Sequence, residues 1–155
     1  MLQTLRMRYF AVVLAAVAAV AAACGGSSGQ SPAQATAEIT STWETFFSAN
    51  GKADQIQGLT PQLQQTYNKD VSSVLPKGLG AKVKSVQLQS SSDCKSNGIP
   101  APCAKVVYDL VDKGSTLLPN AQGYAARTGG KWLVSKNTIC ALLALGNGNT
   151  PPAGC

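Results

Sequence analysis

The stretch "SPAQATAEITSTWETFFSANG", residues 31–51, has the pattern of one amphipathic helix and decides the fold class. Serine, proline and glutamine among its first four positions are typical of a helix start with a capping box. Its bulky apolar side chains recur at helical spacing: Ile39, Trp43, Phe46 and Phe47. Asn50-Gly51 predicts the helix end, because glycine readily adopts the left-handed conformation needed there. A helix with one apolar face needs a second layer to cover it.

The rest of the chain predicts a sheet as that layer. A second helix is expected between Thr60-Pro61 and Gly78, with Pro76 near its end and an apolar face made of Leu63, Tyr67, Val71, Val74 and Leu75. From Gly80 onward the apolar residues alternate with polar ones, which is typical of strands. Strands are predicted at residues 82–90 (with a bulge near 84–86), 104–113, 122–127 and 131–136, and a short apolar helix at 138–145. This order predicts an α+β domain with two N-terminal helices, an antiparallel sheet of about four strands and a C-terminal helix.

The first 23 residues have the features of a secretory signal peptide. Arg6 and Arg8 give a positive start, and residues 9–23 form an apolar run that is short and alanine-rich for a transmembrane helix. The three alanines at 21–23 suit the narrow pockets of a signal peptidase. The sequence therefore predicts an exported protein.

Five cysteines leave one without a partner if the others form disulfides, as they usually do outside the cytoplasm. Cys24 directly follows the apolar run and precedes the polar segment GGSSGQS. This is the position at which bacterial lipoproteins carry their lipid, although Ala21 stands where leucine or valine is usual. We expect Cys24 to be lipidated, and two or three acyl chains would hold the protein on the outer face of the cell membrane.

The other four cysteines allow three pairings. The turn formers between Cys94 and Cys103 favour a loop closed by that pair, and Cys140 would then join Cys155 and fix the tail. A metal site is disfavoured, because the sequence has no histidine and no C-x-x-C spacing. The net charge of +6 comes from scattered lysines and arginines without a basic stripe, so a nucleic-acid partner is not expected.

Three segments carry a family resemblance: "TWETFF" (42–47), "LPNAQGYAARTGGKW" (118–132) and "GGKWLVSKNTICALLALGNG" (129–148). Together they resemble the C-terminal domain of the mycobacterial low-molecular-weight secreted antigen family and of actinobacterial lipoproteins that share it. The resemblance spans roughly residues 33 to 146 and implies a nuclear-transport-factor-two-like or cystatin-like cone, in which a long helix lies across a curved sheet. It implies a surface-exposed protein and carries over no catalytic residue.

Candidate chemistry is sparse. Asp109 is the only carboxylate predicted in the middle of a strand. An isomerase or hydrolase would use it as its base. The simpler expectation is that Asp109 faces solvent beside Lys105 or Lys113. Five aromatic residues are candidates for an apolar ligand pocket, although such residues more often form the core: Trp43, Phe47, Tyr67, Tyr108 and Trp132. No catalytic residue, cofactor or metal is predicted.

The sequence thus predicts a signal peptide (1–23), a lipidated cysteine with a flexible tether (24–31), one α+β domain (32–146) and a disulfide-stapled tail (147–155). The expected function is that of a lipid-anchored, antigen-like envelope protein with a non-enzymatic binding or structural role. Its expected partners are the membrane, and either an envelope protein or a small apolar ligand. The alternatives are a carrier of such a ligand and a cone-fold enzyme that uses Asp109.

Overall fold

The computed structural model describes residues 29–48, 51–68 and 78–155, so the predicted signal peptide and Cys24 lie outside the described residues. The elements follow in the order α1 (Pro32–Ser48), a 3-10 turn (Ala53–Gln55), β1 (Ile56–Gln57), α2 (Pro61–Thr66), β2 (Leu79–Leu88), α3 (Ser91–Ser96), β3 (Cys103–Asp112), β4 (Ser115–Thr128), β5 (Lys131–Ser135) and α4 (Lys136–Gly146). The fold class is α+β, as predicted.

Helix α1 forms where its pattern predicts it. The Ser31 hydroxyl accepts a hydrogen bond from the amide of Gln34, and the Gln34 side chain accepts one from the amide of Ser31, which completes a capping box. The buried face is made of Ala35, Ile39, Trp43, Phe46 and Phe47. After the helix, Gly51 has a φ of +40° and donates its amide to the carbonyl of Phe46. A side chain at Gly51 would collide with the Phe46 ring and the Tyr67 hydroxyl, so packing as well as backbone conformation requires glycine there.

The sheet has five strands in the order β1-β5-β4-β3-β2, rather than about four. Strands β2 to β5 pair antiparallel, and the two-residue strand β1 pairs in parallel with β5. Nothing in the sequence predicts β1, because two residues are too few to show an alternating pattern. The predicted start of α2 at Pro61 is confirmed, whereas its predicted end lies outside the described residues.

Irregularities in the ladder explain where strand boundaries differ from the predicted ones. Strand β2 carries the expected bulge, because its pairing with β3 shifts between Val83 and Ser85. Strand β4 is much longer than the predicted 122–127, since it begins at Ser115. Its pairing shifts by one residue at Pro119 and Asn120, which together lie opposite Asp109. This second bulge lets the strand continue through a proline that otherwise reads as a turn.

The two faces of the sheet are covered unequally. Helices α1 and α4 supply Ile39, Trp43 and Ile139 to the main core, which also takes Val106 and Val134 from the strands. On the other face, the short helix α3 and the loop after it cover one end of the sheet with a small cluster made of Cys94, Ile99, Cys103 and Ala126. Helix α3 was not expected; Ser90 begins it by accepting a hydrogen bond from the amide of Asp93. The predicted 138–145 helix is α4, two residues longer at its start because Ser135 caps it.

Candidate functional site

The four predicted disulfide cysteines are paired as expected. Cys94 bonds to Cys103 and Cys140 bonds to Cys155. Cys94 and Cys103 are fully buried in the small cluster under α3, so this bond ties α3 to the first residue of β3. The second bond joins the middle of α4 to the last residue of the chain. Cys24, the predicted lipid attachment residue, lies outside the described residues.

The five candidate pocket residues are all buried, at 5% exposure or less. Three of them touch one another: the Tyr108 ring lies 5.5 Å from the Trp43 ring and stacks on Phe47 at 5.5 Å between centroids. Tyr67 directly follows α2, and its hydroxyl approaches Gly51, just beyond the end of α1. Trp132 lies at the start of β5, and its indole Nε1 donates to the side chain of Gln30 at 3.2 Å. The structure therefore joins Trp43, Phe47 and Tyr108 into one aromatic cluster and places Tyr67 and Trp132 on either side of it in the same core.

Three polar atoms in this aromatic core have no hydrogen-bond partner in the described structure: Trp43 Nε1, the Tyr67 hydroxyl and the Tyr108 hydroxyl. Burial raises the pKa of Tyr67 to about 12 and raises the pKa of Tyr108 further, so both hydroxyls keep their protons at neutral pH. An unsatisfied buried donor costs about 1–3 kcal/mol, and native proteins contain few of them. Chemically, the three atoms can donate to an acceptor oxygen on a bound molecule or to water.

Asp109 lies on the opposite face of the sheet from Tyr108. One oxygen of its carboxylate accepts from the amide of Asn120 at 2.8 Å and lies 3.1 Å from the Lys84 ammonium, which also donates to the Asn120 side chain. The Asn120 amide and the Lys84 ammonium lower the pKa of Asp109. A general base needs a free carboxylate in a cleft. Asp109 instead holds the bulged part of β4, and this geometry gives no support to an enzyme that uses it as its base.

The partner of Asp109 differs from the expected Lys105 or Lys113. Lys84 is the extra residue in the bulge of β2, between the pairs Val83–Tyr108 and Ser85–Val107. Lys84 directly follows Val83, so by strand alternation its side chain lies on the same face as Asp109, and two bulges on neighbouring strands meet at one ion pair.

A buried hydrogen-bond network between β4 and α4 was not predicted. The Thr138 hydroxyl accepts from the amide of Tyr124 at 2.8 Å and lies 3.0 Å from the Ser135 hydroxyl. A Cβ atom at Gly123 would lie 2.6 Å from the Thr138 methyl group and 2.9 Å from the Trp43 ring. Position 123 therefore has no room for a side chain. Two sequence signals point to this contact: a serine three residues before a threonine at the start of a helix, and a glycine inside a strand.

One open groove lies on the same face as α3, with a volume of about 410 Å³, lined by Ser91, Lys95, Gly98, Ile99, Pro100 and Ala101.

Over residues 29–48, 51–68 and 78–155, no group of three or more His, Cys, Asp or Glu is placed to hold a metal ion. Among the helices in those ranges, none has the length and hydropathy needed to cross a membrane. No family model, curated protein or solved structure matches the chain.

Proposed function

We propose that this chain is an exported envelope protein, anchored to the outer face of the cell membrane by a lipid on Cys24, whose folded domain has a binding or structural role. The observation that carries the proposal is the cysteine pairing. Both disulfides together use Cys94, Cys103, Cys140 and Cys155, which leaves Cys24 as the one cysteine available for another chemistry. Two disulfides in a domain of this size also suit a protein folded outside the cytoplasm.

The position of Cys24 in the sequence supports the lipid anchor. It follows the alanine run that ends at Ala23 and precedes GGSSGQS. Residues 29–31 lead directly into α1, so only a few residues separate the lipid attachment position from the folded domain. A domain held this close to a bilayer can meet envelope proteins or lipids, in keeping with the resemblance to surface antigen-like lipoproteins.

We also propose that the sheet closes around α1 as a cone. Helix α1 packs against β2, at one edge of the sheet, and against β5, next to the other edge. A helix that contacts strands on both sides of a five-stranded sheet favours a sheet that curves around it. The aromatic cluster of Trp43, Phe47 and Tyr108 would lie inside that curve.

The anchor is tested by replacing Cys24 with alanine in a bacterium that exports and processes the chain. Cys24→Ala should accumulate as the unprocessed precursor or leave the detergent phase for the aqueous phase in a detergent-partition assay. Both disulfides should still form, because Cys24 takes part in neither. Ser27→Ala, in the same polar segment, is the matched control and should be processed and partition like the natural chain. A Cys24→Ala protein that is processed and partitions normally would contradict the proposal.

A second candidate function is the binding of a small apolar ligand in the core, and the three unpartnered donors favour it. Trp43 Nε1 and the Tyr67 and Tyr108 hydroxyls would donate to an oxygen of the ligand, while the rings contact its apolar body. Native mass spectrometry of the protein purified from its host should show a bound mass that Tyr108→Phe weakens. A protein that carries no ligand from its host, and gains none when incubated with fatty acids, would contradict this candidate.

A further inference from the structure

The chain enters the folded domain at a fixed point. The side chain of Gln30 accepts a hydrogen bond from Trp132 Nε1, and Trp132 is only 5% exposed, so the bond ties the start of the domain to the start of β5. Cys24 precedes Gln30 by six residues, and six residues reach at most about 20 Å when fully extended. A lipid on Cys24 therefore keeps this part of the domain next to the bilayer.

Hydrogen bonds connect the ladder partner of Trp132 to two neighbouring loops. Arg127 lies opposite Trp132 in the ladder, and its Nε donates to the carbonyl of Gly130 in the β4–β5 turn. Its amide donates to the carbonyl of Pro102, at the end of the loop that follows α3. The same loop lines the open groove together with Lys95. We call the surface made of Lys95, Pro100, Ala101, Arg127, Gly129 and Lys131 the tether end.

The tether end carries more positive than negative charge. Lys95 and Lys131 are exposed and Arg127 is partly exposed; Asp93 on α3, which accepts a hydrogen bond from the Ser90 hydroxyl at 2.6 Å, is exposed as well, so three positive charges stand against one negative charge. Pro100, Ala101 and Gly129 are exposed and small, which lets a flat surface approach closely. Lysine and arginine next to an anionic membrane each strengthen its binding about fivefold.

The opposite end of the domain is out of reach of the anchor. Strand β4 has 14 residues between the β3–β4 turn at Lys113-Gly114 and the β4–β5 turn. A strand of that length separates the two turns by roughly 40 Å. Lys113 is exposed like Lys131, so the two turns form a matched pair that differs mainly in distance from Gln30.

From these observations we propose that the tether end is a membrane-docking surface that rests on anionic phospholipid headgroups and fixes the orientation of the domain. This inference rests on the proposed lipid anchor at Cys24. It makes the face opposite the tether end, including the β3–β4 turn, the one presented to other envelope components.

Amide hydrogen exchange of the full processed protein in vesicles tests the surface. Exchange at residues 128–131 and at Ala101, the one residue of 100–102 with an amide hydrogen, should slow at least about fivefold in vesicles that contain phosphatidylglycerol, compared with phosphatidylcholine alone. Exchange at residues 113–116 should not change. The double variant Arg127→Glu with Lys131→Glu should abolish the slowing, and the control Lys113→Glu should keep it.

A second sample separates this inference from the anchor itself. The chain starting at Cys24 is joined through that thiol to a maleimide-bearing lipid, the other four cysteines being held in disulfides. Slowing confined to residues 128–131 and Ala101 in this sample supports the docking surface even if the natural protein proves to carry no lipid. Equal slowing at 113–116, or none at 128–131, would overturn it.

Discussion

Tyr108 and Asp109 are neighbours on β3, yet the two faces of the sheet treat their polar atoms in opposite ways. The Tyr108 ring is fully buried among Trp43 and Phe47, and its hydroxyl has no partner within the described residues. The Asp109 carboxylate is 14% exposed and has two partners, the Asn120 amide and the Lys84 ammonium. On the outer face, which is the α3 side, Asp109 is therefore satisfied by neighbouring residues. On the inner face, which α1 covers, the Tyr108 hydroxyl and Trp43 Nε1 have no partner within the described residues.

This difference bears on where a ligand would bind. A polar group on a sheet face that already has its partners is best explained by the local structure, here two bulges held by one ion pair. An unpartnered donor in an apolar core costs stability and calls for another explanation, such as a bound molecule or a buried water. The unpartnered donors around Tyr108 are thus the better candidates for contact with a small ligand, whereas Asp109 and Lys84 are explained by the architecture of the sheet.

The largest loss of stability is expected when a buried side chain of the inner face is shortened. Trp43→Ala removes a fully buried ring that contacts both Phe47 and Tyr108, so the free energy of unfolding should fall by about 3–5 kcal/mol. Glu44→Ala, at the exposed neighbouring position, should change it by no more than about 0.5 kcal/mol. Urea unfolding followed by circular dichroism measures both. Similar values for the two variants would mean that the inner face is not the packed core described above.

The close contact between Gly123 and Thr138 predicts that an atom added at position 123 lowers the stability of the protein. Gly123→Ala places a Cβ 2.6 Å from the Thr138 methyl group and should lower the free energy of unfolding by about 1–3 kcal/mol. Combining it with Thr138→Ser removes that methyl group while keeping the hydroxyl, and should restore part of the loss. Thermal unfolding of the single and double variants gives the comparison; no recovery in the double variant would locate the strain elsewhere.

The hydroxyl of Tyr108 should be dispensable for stability. Because it is buried without a partner, Tyr108→Phe should raise the free energy of unfolding of the ligand-free protein by about 1 kcal/mol. Tyr124→Phe is the matched control: the Tyr124 hydroxyl donates to Asn97 at 3.1 Å, so its loss should lower the value by about 0.5–1.5 kcal/mol. Equal destabilisation by both variants would show that Tyr108 has a partner in the empty protein.

The smallest effect is expected on the outer face. Since the folded-state pKa of Asp109 is lowered, its interactions stabilise the fold above the unfolded pKa of about 4 and are lost as the pH falls through the lower folded value. Asp109→Asn keeps an oxygen for the Asn120 amide but removes the charge, so it should lower the free energy of unfolding slightly at pH 7 and flatten the loss of stability below about pH 4. Lys84→Met, which removes the other partner, should shift the profile in the same direction. An unchanged acid profile in both would contradict the ion pair.

Much of the fold follows from local sequence pattern. The parts that do not follow from it are set by contacts between residues distant in sequence. Helix α1, the β2 bulge and both disulfides could be predicted from spacing and turn residues. Strand β1 could not, because its two residues pair with β5 almost eighty positions later. The length of β4 was hidden by Pro119, which lies at a bulge where Asp109 on β3 accepts the amide of Asn120. The aromatic candidates were found by residue type, but which of their polar atoms lack partners is visible only after folding.

The central claim, that Cys24 carries the membrane anchor, is tested most directly by the mass of the N-terminal peptide of the protein extracted from bacterial membranes. We expect a chain that begins at Cys24, with a diacylglycerol thioether on its sulfur and, in hosts that acylate it, a fatty acid on its amine. A chain that begins at another residue, or an unmodified Cys24 thiol in the membrane-extracted protein, would contradict it.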